Sequence, residues 1–415
     1  MKVVIGKRNS YKEDNQIKKE LKYDKVDKQV KKAFKCELCG NNHIIKKGGV
    51  FECASCGTQY TLEEAKKLMI GTTMSNKSKS SNNNEDFVIT AGVLEKYKGA
   101  SAHVDIPNNV KTIGTSCFSG TQIETVKIPN CVTKIEKNAF SFCNSLKSVI
   151  IPDSVTQIGA GAFYNCKRLK SIVLSNRITK LNVETFSGCI SLTTVKLPYS
   201  LTQICDGTRD NMKGVFSGCT RLKSIDFPNN LTIIGAYTFE GCTALTSVIF
   251  PNNLTIIGES AFENCSDLMS IAFQDGLKET EIHKKAFFKC RNLKSFVIQN
   301  GITSIEEEAF AYCSSLTTLS FPDSIHHIGR KAFIYCSNLE SLSIPDSICY
   351  ISDGAFNYCD SLDPDNVKVP TGKTSSYSPI FSSCPLFMAK GRCIHCAGKM
   401  MKSGFFSSAC ERCGK

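Results

Sequence analysis

The sequence predicts a β-rich solenoid of stacked short repeats, with short parallel strands and short helical turns, flanked by a small cysteine-rich segment at each end. The segment 227–245 returns almost letter for letter at 250–268, an offset of 23 residues. A period of about 20–50 residues is typical of repeat architectures, in which each unit buries its apolar face only against its neighbours. Apolar residues alternate within each unit, which indicates short strands. Paired Cys-x-x-Cys motifs outside the repeats indicate the flanking segments.

A phenylalanine marks each repeat and is followed after three residues by a cysteine in most units, then after three more by a leucine. Most intervals between markers are 22 or 23 residues, two are 25, and one is 30 because of an insertion near 206–213. The markers predict about 12 stacked turns across residues 87–384. They are Phe118, Phe140, Phe163, Phe186, Phe216, Phe239, Phe262, Phe287, Phe310, Phe333, Phe356 and Phe381.

The unit that begins at Leu146 shows how the pattern translates into structure. Leu146, Val149 and Ile151 alternate as in a short strand with one buried face, and Pro152 ends this strand because proline has no N–H for a strand ladder. The following Val-Thr-Gln-Ile-Gly segment predicts a second short extended piece and a glycine bend. The Ala-Phe-x-x-Cys spacing suits one α-helical or 3₁₀ turn. All apolar positions then point into one narrow core.

A cysteine recurs at the same place in the repeats, whereas the first unit has Thr121 there. We interpret these cysteines as small apolar core residues. A row of disulfides or a metal strip is the alternative that the spacing leaves open. The aligned residues are Cys143, Cys166, Cys189, Cys219, Cys242, Cys265, Cys290, Cys313, Cys336, Cys359 and Cys384.

The Leu-x-x-Val/Ile-x-Ile/Leu/Phe strand pattern and the Ala-Phe-x-x-Cys-x-x-Leu tail resemble leucine-rich repeats, and more narrowly the BspA-type subfamily. The resemblance covers about residues 87–384. It implies a right-handed solenoid that binds other macromolecules and has no catalysis of its own. Many members of this subfamily are cell-surface proteins. This chain differs from them in its N-terminus, which does not read as an export signal, and in its Cys-x-x-Cys pairs.

Two Cys-x-x-Cys motifs near the N-terminus, 13 residues apart, predict a structural zinc site. Four thiolates complete the tetrahedral shell of Zn2+ and leave no position for water. A glycine follows the second cysteine of each motif, and its backbone freedom lets N–H groups face the sulfurs. The segment resembles the zinc-ribbon family, and a capping box at 61–64 predicts a helix over 62–70. The expected zinc ligands are Cys36, Cys39, Cys53 and Cys56.

The C-terminus repeats this motif arrangement and predicts a second structural zinc site. Its two Cys-x-x-Cys motifs are again 13 residues apart. The match to a zinc ribbon is less complete, because Ala397 stands where a glycine is expected and Gly398 follows one residue late. The expected ligands are Cys393, Cys396, Cys410 and Cys413, so the predicted cofactor is Zn2+ at two structural sites.

The net charge of +13 is concentrated at the two ends of the chain. Residues 1–80 carry 18 Lys and Arg against 9 Asp and Glu, and residues 385–415 carry 6 against 1. The predicted organisation has a basic segment at 1–35 that is flexible or forms a frayed helix, a zinc ribbon at 36–70, a flexible low-complexity linker at 71–86, the solenoid at 87–384 with a hairpin at its start, and the second zinc ribbon at 385–415.

No combination of residues predicts an enzyme. The six histidines occur in different frames of the repeat, and no phosphate-loop motif is present. The leading interpretation is a non-enzymatic scaffold that binds an unidentified protein partner on the repeat surface. The alternatives are a nucleic-acid-associated zinc-ribbon protein that uses its basic ends, and a surface adhesin-like repeat protein. Without a secretory signal or an apolar stretch of membrane-spanning length, we expect reduced thiols, a cytoplasmic location and no membrane insertion.

The partner is expected on the sheet that the repeats build. In each Leu-x-x-Val-x-Ile strand the residue between the last two apolar positions faces outward, because strand side chains alternate. Several of these residues are apolar, and a strip of exposed apolar groups is typical of an interaction site. Selection of β-forming residues, or coverage by the chain's own tails, is the alternative explanation. The predicted partner-binding residues are Ile150, Val173, Lys196, Asp226, Ile249, Ala272 and Val297.

Overall fold

The computed structural model describes residues 44–47, 50–53, 59–60, 84–204, 213–370, 380–390, 392–394, 397, 399–403 and 407–410. The chain divides into two compact units, Met1–Ser80 and Ser81–Lys415. The described part of the first unit is an antiparallel sheet of three strands with β2 in the centre: β1 Ile44–Lys47, β2 Val50–Cys53 and β3 Gln59–Tyr60. The predicted basic segment 1–35 and helix 62–70 lie outside the described residues.

The second unit starts with a hairpin that follows a 3₁₀ turn at Asn84–Asp86. Its antiparallel strands are β4 Phe87–Thr90 and β5 Val93–Tyr97, as the sequence predicted. Ala91 and Gly92 have φ of 48° and 80° in the two-residue turn, and such left-handed pairs match the twist of a tight hairpin.

Two short parallel strands from most repeats build the two faces of the solenoid, which we call the front and the rear. The front strands are β6 His103–Asp105, β8 Thr125–Lys127, β10 Ser148–Ile150, β12 Ser171–Val173, β14 Thr194–Lys196, β17 Ser247–Phe250, β19 Ser270–Phe273, β21 Ser295–Phe296, β23 Thr318–Ser320, β25 Ser341–Ser343 and β27 Val367–Lys368. The rear strands are β7 Thr112–Ile113, β9 Lys134–Ile135, β11 Gln157–Ile158, β13 Lys180–Leu181, β15 Gln203–Ile204, β16 Ile233–Ile234, β18 Ile256–Ile257, β20 Thr280–Ile282, β22 Ile302–Ile305, β24 His327–Ile328 and β26 Tyr350–Ile351.

Within each sheet the strands pair in chain order, each with the corresponding strand of the next repeat. The rear forms one sheet of β4, β5, β7, β9 and β11 and a second, eight-stranded sheet from β13 to β26. The front forms three sheets, β6 to β14, β17 to β21, and β23 to β27. The hairpin therefore supplies the edge of the first rear sheet, where β5 pairs in parallel with β7. The prediction of a β-solenoid of about 12 turns is confirmed.

The marker segment contains tight turns instead of the short helical turn that its spacing predicted. The N–H of Phe140 donates to Ala162 O at 2.8 Å, and that of Phe142 donates to Tyr164 O at 2.7 Å, both in the next repeat. The N–H of Cys143 instead closes a turn onto Phe140 O at 3.3 Å. Alternate N–H groups thus bind the neighbouring repeat, whereas a helix would use all of them within its own segment. The marker segment therefore forms turns, and the predicted helical turn is wrong.

A left-handed residue recurs in this segment, two positions after every marker phenylalanine. Glycine and asparagine adopt this conformation readily, whereas larger side chains pay a steric penalty in it. The residues and their φ angles are Gly120 (73°), Phe142 (57°), Asn165 (56°), Gly188 (73°), Gly218 (72°), Gly241 (69°), Asn264 (59°), Lys289 (60°), Tyr312 (62°), Tyr335 (61°), Tyr358 (58°) and Ser383 (57°).

The marker phenylalanines stack on one another through the core and form what we call the inner aromatic ladder. It begins at Tyr97, passes through all twelve marker rings and ends at Phe387. Successive ring centroids are between 4.6 Å (Phe381–Phe387) and 5.8 Å (Phe356–Phe381) apart. Every marker side chain is fully buried. Because no single repeat could enclose its phenylalanine, burial of the ladder links each repeat to its neighbours.

The C-terminal segment continues this core past the last marker. After a 3₁₀ turn at Pro364–Asn366, the chain reaches helix α1, Pro385–Ala389. The Phe387 ring of this helix is fully buried against Phe381. The N–H of Phe381 donates to Ile394 O at 3.0 Å, where a further repeat would otherwise supply the acceptor. The segment ends in an antiparallel hairpin, β28 Met400–Ser403 and β29 Ser407–Cys410.

Candidate interaction surface

The residues predicted to bind a partner lie on the front of the solenoid. Side chains alternate along each front strand, so that Val248 is 2% exposed and the adjacent Ile249 is 60% exposed. The outward direction of this position is therefore as the sequence predicted. Ile249, Val297 and Ile150 are 60%, 69% and 37% exposed, Lys196, Asp226 and Ala272 are also exposed, and Val173 is half-buried.

The structure brings these residues together in two groups. In the first group the register aligns Ile150 with Val173 and Val173 with Lys196. In the second group Ile249 is aligned with Ala272. Val297 belongs to the second group, since it directly follows β21, which pairs with the strand that carries Ala272.

Asp226 belongs to neither group. The repeat that carries it has no front strand, and the front sheets are interrupted between β14 and β17. Lys196 and Asp226 therefore lie at the interruption, whereas Ile249 lies on the sheet beyond it and Val297 directly follows the last strand of that sheet. A role of any of these residues in binding stays a prediction.

A second row of aromatic rings, which sequence reasoning missed, runs over the surface. It consists of Phe288, Tyr312, Tyr335 and Tyr358, and we call it the outer aromatic ladder. Phe288 meets Tyr312 edge to face with centroids 5.5 Å apart, and the tyrosines then stack at 4.7 Å and 4.5 Å. The three tyrosines are 36–39% exposed and all occupy the left-handed position. The available signal was tyrosine two residues after the marker in three successive repeats.

The cysteine row of the repeats is a row of hydrogen-bond donors inside the core. These cysteines are buried free thiols, which confirms their predicted core position. Each sulfur donates to the carbonyl oxygen of the marker phenylalanine in the preceding repeat, as Cys143 does to Phe118 O and Cys166 to Phe140 O, both at 3.1 Å. In the first unit, Thr121 Oγ1 donates to Phe118 O at 2.7 Å. The contact from a cysteine to the marker phenylalanine of the preceding repeat recurs from Cys189 through Cys384.

Burial raises the pKa of most of these thiols and so keeps them protonated. Desolvation raises the pKa of Cys143 to about 12 and that of Cys384 to about 11. The pKa of fully buried members such as Cys265 is raised well above the usual range for the same reason. Since the thiolate is the nucleophile and metal ligand, the row has the properties of packing residues and not of reactive groups.

The described part of the N-terminal cysteine segment is the three-stranded sheet. Cys53 is the last residue of β2 and pairs in register with Ile44 of β1. The other three predicted ligands, Cys36, Cys39 and Cys56, lie outside the described residues. A hairpin followed by a short third strand is compatible with the ribbon that the sequence predicted, and zinc binding stays a prediction.

The C-terminal cysteine segment is partly described. Cys393 is buried, and Ala397 is left-handed with φ of 59°. The N–H of Ala397 donates to Cys393 O at 2.8 Å, so the backbone closes a turn around the first motif. The alanine therefore adopts the conformation for which the sequence pattern favoured glycine. Cys410 is the last residue of β29, and Cys396 and Cys413 lie outside the described residues.

The histidines of the repeats contact polar neighbours. His103 Nδ1 lies 2.8 Å from Thr125 Oγ1, and His283 Nε2 lies 3.3 Å from Glu281 Oε2. The ring of His327 stacks on Tyr350 with centroids 6.1 Å apart. Ser101 Oγ donates to the backbone oxygen of His103 at 2.7 Å, but within the described ranges none of these imidazole rings is hydrogen-bonded to a serine or cysteine side chain that could act as a nucleophile. No helix in the described part of the chain is long and apolar enough to cross a membrane.

The comparisons with known proteins agree with this geometry. The family model for the BspA type Leucine rich repeat region (6 copies) matches residues 96–215, 208–281 and 280–391. A leucine-rich repeat protein from Bacteroides ovatus ATCC 8483 is 29% identical, with a TM-score of 0.59, over 71% of this chain and 80% of that chain. No curated protein matches the sequence.

Two further solved structures are similar to the chain at lower sequence identity and lower TM-score. A leucine-rich repeat protein of T. pallidum is 24% identical over 51% of this chain and 89% of that chain, with a TM-score of 0.37. A leucine rich cell surface protein of Faecalibacterium prausnitzii A2-165 is 23% identical over 83% of this chain and 93% of that chain, with a TM-score of 0.38.

Proposed function

The chain belongs to the BspA-type leucine-rich-repeat proteins, and from this premise we propose that it is a non-enzymatic scaffold that binds a protein partner on its front face. The observation that supports this most is the pair of exposed apolar side chains Ile249, on β17, and Val297, directly after β21 of the same front sheet. Exposed β-branched residues on a rigid parallel sheet can exclude water from a contact with little loss of conformational entropy on binding. Contiguous exposed apolar groups mark interaction sites.

The footprint is centred on Ile249, Ala272 and Val297 and reaches toward Lys196 and Asp226. Binding removes the apolar centre from water, which favours the complex, and the opposite charges of Lys196 and Asp226 fix the register of the partner. A protein ligand suits this surface better than a small molecule, because the residues are spread over several repeats.

The double substitution Ile249→Asp with Val297→Asp tests the footprint. It places two charges at the centre of the contact and is expected to abolish capture of the partner by the immobilised full-length chain. Both side chains face solvent, so the circular dichroism and thermal unfolding of the variant are expected to match the wild type. Ser320→Asp is the matched control, since Ser320 is an exposed outward residue of β23.

Undiminished capture by the folded double variant would move the binding site away from the front face. If the retained ligand were nucleic acid and its affinity fell steeply with salt, the nucleic-acid-associated alternative would replace the proposal. Loss of capture in Ser320→Asp as well would indicate that any added negative charge disrupts binding.

We also propose Zn2+ at two structural sites, one in each Cys-x-x-Cys segment. The residues that would hold it are Cys36, Cys39, Cys53 and Cys56 at one end and Cys393, Cys396, Cys410 and Cys413 at the other. The supporting observation is the closed turn from Cys393 to Ala397, in which a non-glycine residue is left-handed. Bound zinc would hold four thiolates in a closed shell and would serve the fold, not catalysis.

Metal analysis of the purified full-length chain tests this part of the proposal, with two zinc ions per chain expected. Cys393→Ser is expected to lower the content to one, because three thiolates and a hydroxyl bind zinc less tightly. Cys131→Ser is the matched control, since Cys131 lies outside both motifs. Two zinc ions retained in Cys393→Ser would contradict the C-terminal ligand set.

The proposal includes a reducing, cytoplasmic location. Its support is the row of buried thiols, whose S–H groups act as hydrogen-bond donors in a way that disulfide sulfurs cannot. Cell fractionation followed by immunodetection tests the location. Recovery of the chain at the cell surface or in the medium would support the adhesin-like alternative.

A further inference from the structure

A cluster of metal-binding side chains lies on the rear of the solenoid, away from both cysteine segments. The position directly after each rear strand is occupied by glycine in several repeats, including Gly235, Gly258 and Gly329. Two successive repeats carry His283 and Glu306 at this position instead. The register of the position is fixed, because the N–H of His283 donates to Ile257 O and that of Glu306 to Ile282 O, both at 2.9 Å.

The geometry of the cluster suits a single ion. His283 Nε2 lies 3.3 Å from Glu281 Oε2, two residues earlier on the same face of the strand. One ligand atom from each of Glu281, His283 and Glu306 lies within 4.8 Å of the others. Two ligands that are each about 2.1 Å from one ion in a tetrahedral arrangement are separated by about 3.4 Å. The observed histidine–carboxylate separation is therefore already that of a coordinated pair.

The two carboxylates of the cluster have no lysine or arginine partner within the described part of the chain. Glu306 Oε2 accepts the backbone N–H of Lys284 at 3.1 Å, whereas the Lys284 ammonium pairs with Glu307 at 2.9 Å. Other glutamates on this face are paired with cations. Glu136, which occupies the same repeat position as His283, binds the ammonium of Lys134 at 3.1 Å.

We propose that Glu281, His283 and Glu306 bind a divalent first-row transition-metal ion. One imidazole nitrogen and two carboxylate oxygens form a mixed donor set that suits such an ion better than Ca2+, which prefers oxygen ligands alone. Glu281 is exposed and His283 and Glu306 are half-buried, so water can reach the ion and complete its coordination. The ion would join two adjacent repeats, because Glu306 belongs to the repeat after the one that carries Glu281 and His283.

Binding of Mn2+ to the zinc-loaded full-length chain tests the site. Mn2+ favours oxygen and nitrogen donors over thiolates, so the cysteine segments compete poorly for it. The loss of the free Mn2+ signal in electron paramagnetic resonance gives the stoichiometry and the affinity. We expect one bound ion per chain, and His283→Ala is expected to weaken its affinity at least tenfold.

Glu281→Lys is the sharper variant, because it replaces one carboxylate of the cluster with an ammonium group that repels a divalent ion. It is expected to abolish Mn2+ binding while thermal unfolding stays close to that of the wild type. Glu306→Gln provides a second removal of charge if Glu281→Lys does not fold. Glu136→Gln is the matched control, and its Mn2+ affinity is expected to equal that of the wild type.

Absence of bound Mn2+ in the wild type would overturn the assignment. Binding that survives both His283→Ala and Glu281→Lys would also overturn it, since the ion would then be held elsewhere. An equal loss in Glu136→Gln would show attraction by the general charge of the rear face.

Discussion

The inner and outer aromatic ladders have almost the same ring spacing and opposite relations to solvent. Phe310 and Phe333 of the inner ladder stack at 5.3 Å and are fully buried. Tyr312 and Tyr335 lie two residues further along the same repeats, stack at 4.7 Å and are each 36% exposed. Both ladders follow from the regular advance of the solenoid, because any aromatic residue repeated in register meets its copy.

The difference between the ladders shows that the register of the repeats creates the stack, and that burial determines how much the stack contributes to the free energy of unfolding. The inner rings are enclosed by neighbouring repeats and have no alternative position. The three outer tyrosines are partly exposed and stand on a left-handed backbone that disfavours large residues. The inner ladder should therefore carry stability, and the outer ladder should contribute little. Three experiments test this contrast.

The largest effect is expected for Phe262→Ala. The Phe262 ring is fully buried between Phe239 and Phe287, with centroids 5.0 Å and 5.2 Å away. Its removal leaves a cavity between two repeats and is expected to lower the free energy of unfolding by about 3–5 kcal/mol in urea denaturation. Tyr335→Ala in the outer ladder serves as the matched control and should cost much less. Similar losses for both variants would remove the distinction between the ladders.

The thiols beside the inner ladder predict a loss of stability at alkaline pH. The pKa of Cys143 is about 12 in the folded chain because of burial, against about 9 for an unperturbed thiol. The folded state therefore holds this proton more tightly, so the stabilisation is complete below about pH 9 and is lost as the pH rises from about 9 to about 12. Each such thiol lowers the free energy of unfolding by about 1.4 kcal/mol per pH unit in this range.

Cys143→Ser removes one of these titrating groups and keeps a hydroxyl donor for Phe118 O. The fall in unfolding free energy between about pH 8 and 10.5 is expected to be about 2 kcal/mol smaller than in the wild type. Cys349→Ser is the control, because Cys349 is exposed and lies outside the buried row. An unaltered pH dependence in Cys143→Ser would show that this thiol is accessible to water in the folded state.

The smallest effect is expected for Tyr335→Asn. The substitution loses stacking on Tyr312 and Tyr358, a contribution of about 0.5–1.5 kcal/mol. It also relieves a left-handed conformation that costs most residues about 1–2 kcal/mol and that asparagine tolerates, as Asn165 and Asn264 do at the same position. The two terms nearly cancel, so urea denaturation should detect a change below about 1 kcal/mol. A decrease in the free energy of unfolding of more than about 2 kcal/mol would show that the outer ladder stabilises the fold.

The sequence was sufficient to predict the features that depend on the period. The buried markers, the outward position of Ile249 and Val297, and the hairpin before the first repeat follow from alternation and spacing within one unit. The prediction of a helical turn at Ala-Phe-x-x-Cys was wrong, because a spacing of three residues does not reveal which carbonyl oxygens accept the N–H groups. Only the neighbouring repeat, with acceptors such as Ala162 O, determines that these segments form turns.

The features that were missed depend on register between repeats. Tyr312 and Tyr335 become neighbours only when the repeats are aligned through their markers. Glu281 and Glu306 are 25 residues apart and occupy different positions in their repeats, since Glu281 pairs in register with Ser304. The interruption at Asp226 likewise required knowledge of which strands pair. One-dimensional patterns predict what faces in or out, whereas contacts between repeats follow from the alignment of whole units.

The alternating hydrogen bonds of the marker segment make the contacts between successive repeats equivalent to one another. Each unit presents the same N–H groups and carbonyls to the next one, and after the last marker the Phe381 N–H is accepted by Ile394 O of a segment that is not a repeat. Duplication or loss of one complete unit in the gene would therefore lengthen or shorten the solenoid without altering either end. The near-identical segments 227–245 and 250–268 have the form that such a duplication leaves, and recombination between their coding sequences offers a route to further change in length.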